Sequence, residues 1–145
     1  MNQDKIIAML KLHEGVETHA YVDSLGLLTI GCGRCIQKGS LGLSDDEIIY
    51  MLNNDIDRVI RSLGSEYSWF SGLDEVRQAA MIDLAFNLGA TRLRGFVKAL
   101  GAMQDGDYER AADEFIDSKW ASQVGSRALE ITAMIRTGKW QKEYS

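Results

Sequence analysis

Apolar positions recur with a helical period over most of the chain and with a strand-like pattern over one short part. At the start of the chain, Ile6, Met9 and Leu10 are spaced as on one side of a helix. Asn2 or Asp4 precedes them, and either side chain can cap the free amides of a first turn. The pattern therefore predicts a first helix with one buried side.

Extended stretches separated by turn residues follow the first helix. Three of them predict short strands: Tyr21–Val22, Leu27–Ile30 and Arg34–Gln37. Gly31 and Gly33 lie between the second and third stretches and indicate a bulge or a close approach of the backbone. These residues predict a small sheet.

The remainder of the chain is predicted to be helical. Ser44 and Glu47 form a capping box, and apolar residues then repeat at helical spacing to Leu63, with Gly64 as the expected end. The stretch 73–88 is apolar on nearly all sides, which predicts a central buried helix with Gly89 as its cap. Further helices are expected over 96–104, 108–117 and 126–137.

The predicted fold is α+β in one domain covering residues 1–145. A small β-sheet lobe takes about 14–43, a linking helix about 44–63, and a larger helical lobe about 65–145 together with the N-terminal helix.

Composition and hydropathy argue against nucleic acid and membrane as partners. The net charge of −5 argues against a nucleic-acid partner, because neutralising phosphates needs clustered Lys and Arg. No apolar run is long enough to span a membrane, so stable membrane insertion is not expected. The N-terminus has early charges and no small-residue cleavage site, which argues against a signal peptide.

Cys32 and Cys35 have the spacing of a thioredoxin redox motif. That motif needs a turn from strand to helix, whereas strand and turn are predicted here, and the chain has no proline. In extended backbone the two Cα atoms exceed the roughly 7 Å limit for a disulfide. His13 and His19 do not complete a four-ligand zinc pattern at defined spacing. We therefore predict neither redox function nor a metal site.

The chemically suggestive stretch is EGVETHAYVDSLGLLTIGCG. Glu14 ends the first helix, eight residues separate it from Asp23 in a turn, and five residues separate Asp23 from Thr29. Two carboxylates in unlike environments can divide acid and base work, as glycoside hydrolysis requires. The alternative is a helix end followed by a surface loop.

The run E-x8-D-x5-T-I-G-x-G resembles the catalytic stretch of the phage T4-type lysozymes, which are endolysin muramidases. The likeness continues in order and at similar spacing through 77–89, 95–96, 118–120, 127–128 and 136–140. The resemblance implies a lysozyme-like fold and hydrolysis of the β-1,4 bond between N-acetylmuramic acid and N-acetylglucosamine in peptidoglycan, with no cofactor.

The resemblance also assigns roles to residues. Glu14 is expected to be the general acid, Asp23 the carboxylate that orients water or stabilises the sugar with inversion, and Thr29 the hydroxyl that holds the water. Arg127 is expected to lie against Glu14 and to span the two lobes. The remaining positions matched to substrate contacts are Phe86, Asn87, Cys35, Ala99 and Glu114, of which the last three carry residue types that differ from the best-known members.

Arg34 stands where the family often has histidine, and we expect it to form an ion pair with Asp55 on the long helix. The implied partners are peptidoglycan and a membrane-permeabilising phage protein, a holin. We expect a monomer that stays in the host cytoplasm until lysis and then acts on the periplasmic wall.

Three alternatives remain open. They are a cleft that serves a related β-1,4 N-acetylglucosamine polymer, a glycan-binding module without catalysis, and a lysozyme-like domain of a phage tail. The retained Glu14, Asp23 and Thr29 argue against a pure binding module. The start of the first helix directly after Met1 and the early end after Trp140 favour a free-standing enzyme.

Overall fold

The computed structural model describes residues 1–144, which form two compact units. The first unit is Met1–Leu52, and the second begins at Asn53. The boundary falls inside the longest helix. The N-terminal helix belongs to the same unit as the sheet, whereas the sequence grouped it with the later helices.

The first unit combines one helix with an antiparallel sheet. Helix α1 spans Gln3–Glu14 and is capped by Asn2, whose side chain accepts a hydrogen bond from Lys5 N at 3.0 Å. The sheet has the order β1-β2-β3. Its strands are β1 (Glu17–Val22), β2 (Leu28–Gly31) and β3 (Arg34–Cys35).

The burial predicted for α1 is not observed. Ile6 is half-buried, Met9 and Leu10 are exposed, and no residue of the helix is fully buried. The apolar spacing identified the helix correctly because that spacing is local. Burial of the apolar side depends on which other elements pack against the helix, and three short strands cover little of it.

Helix α2 spans Asp45–Glu66, and its predicted capping box is confirmed. Glu47 N donates to Ser44 Oγ at 3.4 Å, and Ser44 N donates to Glu47 Oε1 at 3.3 Å. The prediction that Gly64 ends this helix is wrong. Gly64 does not have a positive φ, and Leu63 beside it is buried, so packing carries the helix through the glycine.

The second unit is helical. It contains α3 (Glu75–Arg94), α4 (Val97–Gln104), α5 (Tyr108–Ile116), α6 (Lys119–Val124) and α7 (Ser126–Thr137), with a short 3-10 turn at Phe70–Gly72. Helix α3 is interrupted at Gly89, whose φ of 77° and ψ of 163° are not helical, so the predicted break there is confirmed. The sequence did not predict α6, which is only six residues long.

The core of the second unit is formed mainly by α3, α4, α5 and α7. The side chains of Met81, Leu84, Leu93, Met103, Phe115 and Ile135 are the largest that are fully buried. The prediction of a central buried helix at 73–88 is confirmed. The α+β class is confirmed as well, with many helices and one small antiparallel sheet. Within residues 1–144, no helix has the length and apolar character needed to cross a bilayer.

Candidate active site

Glu14 is the last residue of α1, and its side chain lies against the turn between β2 and β3. A methyl group added at Gly33 would lie 3.1 Å from Glu14 Oε2 and 3.4 Å from its Cδ. Gly33 has a φ of 74°, which also favours glycine. The close backbone approach predicted from the glycines therefore occurs, and the group that approaches Gly33 is the carboxylate of Glu14. The side chain of Glu14 is otherwise exposed.

Asp23 is held in the turn that joins β1 to β2. Its Oδ1 accepts hydrogen bonds from Leu25 N at 2.9 Å and from Leu27 N at 2.8 Å. Its own N–H donates to Leu27 O at 2.9 Å and closes the hairpin. Such a side-chain turn fixes the orientation of an aspartate without a charged partner. The second carboxylate oxygen, Oδ2, remains available to accept a further hydrogen.

Thr29 lies in the middle of the sheet, with Tyr21 opposite it on β1 and Cys35 opposite it on β3. Directly opposed residues share one face of a sheet, so these three side chains form a row. Thr29 is only 3% exposed, and its hydroxyl donates to Leu27 O at 2.9 Å. Since that bond uses its only hydrogen, the hydroxyl can act on another group only as an acceptor.

The prediction of an Arg34–Asp55 ion pair is wrong. Arg34 Nη1 donates to Glu47 Oε2 at 2.7 Å and Oε1 at 2.9 Å, and Asp55 pairs with Arg58 on α2. The bond from Arg34, followed by the bonds from Ser44, lowers the pKa of Glu47 to about 2. Glu47 lies in the first turn of α2, directly after the loop that leads from β3, and this position brings its carboxylate to Arg34.

Two of the expected substrate contacts lie at the end of the buried part of α3. Phe86 is 41% exposed, so it is a surface side chain and not part of the core. Asn87 is half-buried, and its Oδ1 accepts a hydrogen bond from Trp120 Nε1 at 2.6 Å. The bond fixes the amide, and its NH₂ group is left to donate to a ligand.

Arg127 forms its ion pair within the helical unit, and its expected contact with Glu14, which belongs to the other unit, stays a prediction. Arg127 Nε donates to Asp83 Oδ1 at 2.8 Å. Asp83 precedes Asn87 by four residues on α3, so the two side chains are neighbours on one side of that helix. Arg127 is thus held next to a row of polar groups on α3.

Ala99 and Glu114 line one cavity of about 490 Å³ in the helical unit. Ala99 is buried in its wall, and Glu114 is half-buried. Arg92, Lys98 and Asp117 also line the cavity, so both signs of charge are present. The structure therefore brings together these two sequence-predicted residues.

Cys32 and Cys35 are both free thiols. Cys32 is exposed in the β2–β3 turn, and Cys35 is half-buried in β3. The strand-and-turn setting expected for this pair is confirmed. In the part of the chain that the structure describes, there is no group of three or more His, Cys, Asp or Glu side chains arranged to hold a metal ion.

Sequence reasoning missed three partners of the candidate residues: Glu47, Asp83 and Trp120. Glu47 was recognised only as a helix cap, although a capping carboxylate has oxygens left for a second donor. Asp83 could have been found from its four-residue spacing from Asn87, which places both on one side of a helix. The indole of Trp120 had no local signal, because Asn87 is 33 residues away in the chain.

Comparison with known proteins places the chain among lysozymes. The family model described as phage lysozyme matches residues 11–136. The probable T4-type lysozyme 2 of Dictyostelium discoideum is 26% identical over 94% of this chain and 95% of its own length. The probable T4-type lysozyme 1 of the same organism is 25% identical over 90% of this chain and 92% of its own length.

A third relative is much longer than this chain. The pre-baseplate central spike protein Gp5 of Enterobacteria phage T4 is 28% identical over 90% of this chain, which spans only 27% of the spike protein.

Proposed function

Because the chain belongs to the phage lysozyme family, we propose that it hydrolyses the β-1,4 bond between N-acetylmuramic acid and N-acetylglucosamine in bacterial peptidoglycan. The family and the two relatives of similar length support a glycoside hydrolase of the lysozyme type. The observation that carries the proposal is the arrangement of the first unit, in which Glu14 rests on Gly33 and Asp23 is fixed by two backbone amides.

In the proposed reaction, Glu14 donates its proton to the glycosidic oxygen as the bond to the anomeric carbon breaks. A water attacks that carbon from the opposite face, and Asp23 Oδ2 takes a proton from the water. The amides of Leu25 and Leu27 hold Oδ1 and so aim Oδ2. One carboxylate gives a proton and the other receives one, and the product has the inverted configuration.

Thr29 is proposed to orient the attacking water. Its hydroxyl hydrogen is bonded to Leu27 O, so the oxygen can only accept a hydrogen from the water. A water that gives one hydrogen to Thr29 and one to Asp23 keeps a lone pair free for the anomeric carbon. The proposal therefore assigns Thr29 a directional role that valine, which has the same shape, cannot replace.

The principal test compares wild type with Glu14→Gln on isolated sacculi, with turbidity and new reducing ends measured together. Glu17→Gln is the matched control, because it removes the same charge from an exposed residue three positions away. We expect wild type and Glu17→Gln to release reducing ends and Glu14→Gln to release none. Proton NMR of the first product tests inversion, which requires the α-anomer.

Other outcomes would replace the proposal. Turbidity loss without reducing ends would indicate an amidase, a peptidase or a lytic transglycosylase. Binding to sacculi without any release would indicate a glycan-binding module. Faster release from chitin oligomers than from sacculi would shift the substrate to another β-1,4 N-acetylglucosamine polymer.

We further propose that the enzyme is a monomeric phage endolysin, held in the host cytoplasm until a holin-like partner permeabilises the membrane. Cells that express it should then lyse only when the inner membrane is permeabilised, and cells that express Glu14→Gln should not lyse. The match to the T4 spike protein supports an alternative role in a phage tail. Copurification with virions would favour that role.

A further inference from the structure

Arg34 lies between two positions that contact the candidate catalytic residues. On one side is Gly33, against which the carboxylate of Glu14 rests. On the other side is Cys35, which is paired with Thr29 across the sheet. A shift of the backbone at Arg34 would therefore move the surface under Glu14 and the strand beside Thr29 at the same time.

The side chain of Arg34 ties this strand to the start of α2. Its Nη1 donates to both oxygens of Glu47, at 2.7 and 2.9 Å, and to Gly42 O at 3.1 Å. Ser44 Oγ donates to Glu47 Oε1 at 2.7 Å and holds the carboxylate on its other side. These bonds close the loop between β3 and α2 and anchor a strand of only two residues to a helix of 22.

A purely stabilising role does not explain this arrangement well. The side chains of Arg34 and Glu47 are 34% and 38% exposed, and ion pairs at that exposure contribute little to stability. The consequence of the pair is instead geometric. Strand β3 lies at the edge of the sheet and has only two residues, so few other contacts fix its position.

We propose that the Arg34–Glu47 pair is a positioning element that fixes the β2–β3 hairpin beneath Glu14 and beside Thr29. Neither residue is expected to touch substrate. Loss of the pair should lower the turnover number, because a small displacement of a catalytic group is enough to slow the reaction. The catalytic part of this inference rests on the proposed glycosidase function.

The test uses Glu47→Gln and Arg34→Met, with Asp55→Asn as the matched control. Glutamine retains the capping box with Ser44, so Glu47→Gln removes the ion pair without removing the helix cap. Asp55→Asn breaks an exposed ion pair with Arg58 on the same helix. Arg34→Lys keeps the charge and a single donor nitrogen on a shorter side chain, and it should recover part of the activity.

A second readout does not depend on activity. Cys35 directly follows Arg34 and is half-buried, so its reaction rate with a thiol reagent reports on the order of β3. The measurement is made in a Cys32→Ser background, in which Cys35 is the only thiol. We expect the rate to rise by about threefold or more when the pair is broken, because local opening exposes the thiol.

The expected result is a fall in kcat of about tenfold for Glu47→Gln and Arg34→Met, with KM changed by less than about twofold. Asp55→Asn should change neither kcat nor the thiol rate. An unchanged kcat in Glu47→Gln would overturn the inference if wild type is active. If wild type releases no reducing ends, the proposed function fails, and an unchanged thiol rate would then overturn the positioning role independently.

Discussion

Replacing Gly33 with alanine should lower the turnover number, with only a modest loss of unfolding free energy. The new methyl group would lie 3.1 Å from Glu14 Oε2, closer than nine in ten Cβ contacts in proteins, and the residue keeps a φ of 74°. A left-handed conformation costs an alanine about 1–2 kcal/mol relative to glycine. Glu14 is exposed and flexible, so its carboxylate can move by a few tenths of an ångström and add little to that cost.

Gly31→Ala supplies the matched control for this prediction. Gly31 ends β2, two residues before Gly33, and has a φ of 69°, but a methyl group there would meet no atom within 4 Å. Both variants should therefore lose about 1–2 kcal/mol of unfolding free energy from backbone strain. Only Gly33→Ala should also displace the proposed acid, and we expect kcat to fall by about tenfold relative to Gly31→Ala.

Urea unfolding gives the stability of both variants, and release of reducing ends from sacculi gives their rates under conditions where both are folded. Equal rates in Gly33→Ala and Gly31→Ala would refute the reasoning, because the contact with Glu14 would then have no catalytic consequence. A loss of stability in Gly33→Ala much larger than in Gly31→Ala would show that Glu14 cannot move as assumed.

Three further predictions concern the framework of the site. Arg77→Lys should lower the unfolding free energy by about 2 kcal/mol in urea titration, because lysine cannot donate to both α7 carbonyls. The stability difference between wild type and Glu47→Gln should be small, present above pH 4.5, and lost toward pH 2, the lowered pKa of Glu47, in acid unfolding. Trp120→Phe should cost about 1 kcal/mol and broaden the amide NMR signal of Asn87, since the indole bond is lost; an unchanged signal would contradict it.

Local signals predicted the elements of the fold well. Asn2 caps α1, and the capping box of Ser44 and Glu47 begins α2, as expected. Gly89 interrupts α3 where a cap was predicted. Each of these features is decided by a side chain and by backbone atoms within a few residues, so the sequence contains the whole interaction.

Long-range features were predicted less well. Gly64 was expected to end α2, but helical backbone continues to Glu66, because packing around the buried Leu63 outweighs the weak helix propensity of glycine. The partner of Arg34 was expected to be Asp55 and is Glu47. Several acidic residues of α2 were available, and only the path of the loop from β3 selects one of them.

The sequence by itself determined the α+β class, most of the helices and the residues proposed for the chemistry, because periodicity, caps and the E-x8-D-x5-T pattern are local properties of the chain. Tertiary structure decided where those residues rest. It placed Gly33 under Glu14, joined Arg127 to Asp83, and set Trp120 on Asn87. These contacts join residues 19 to 44 positions apart, and their geometry exists only after the backbone between them has folded.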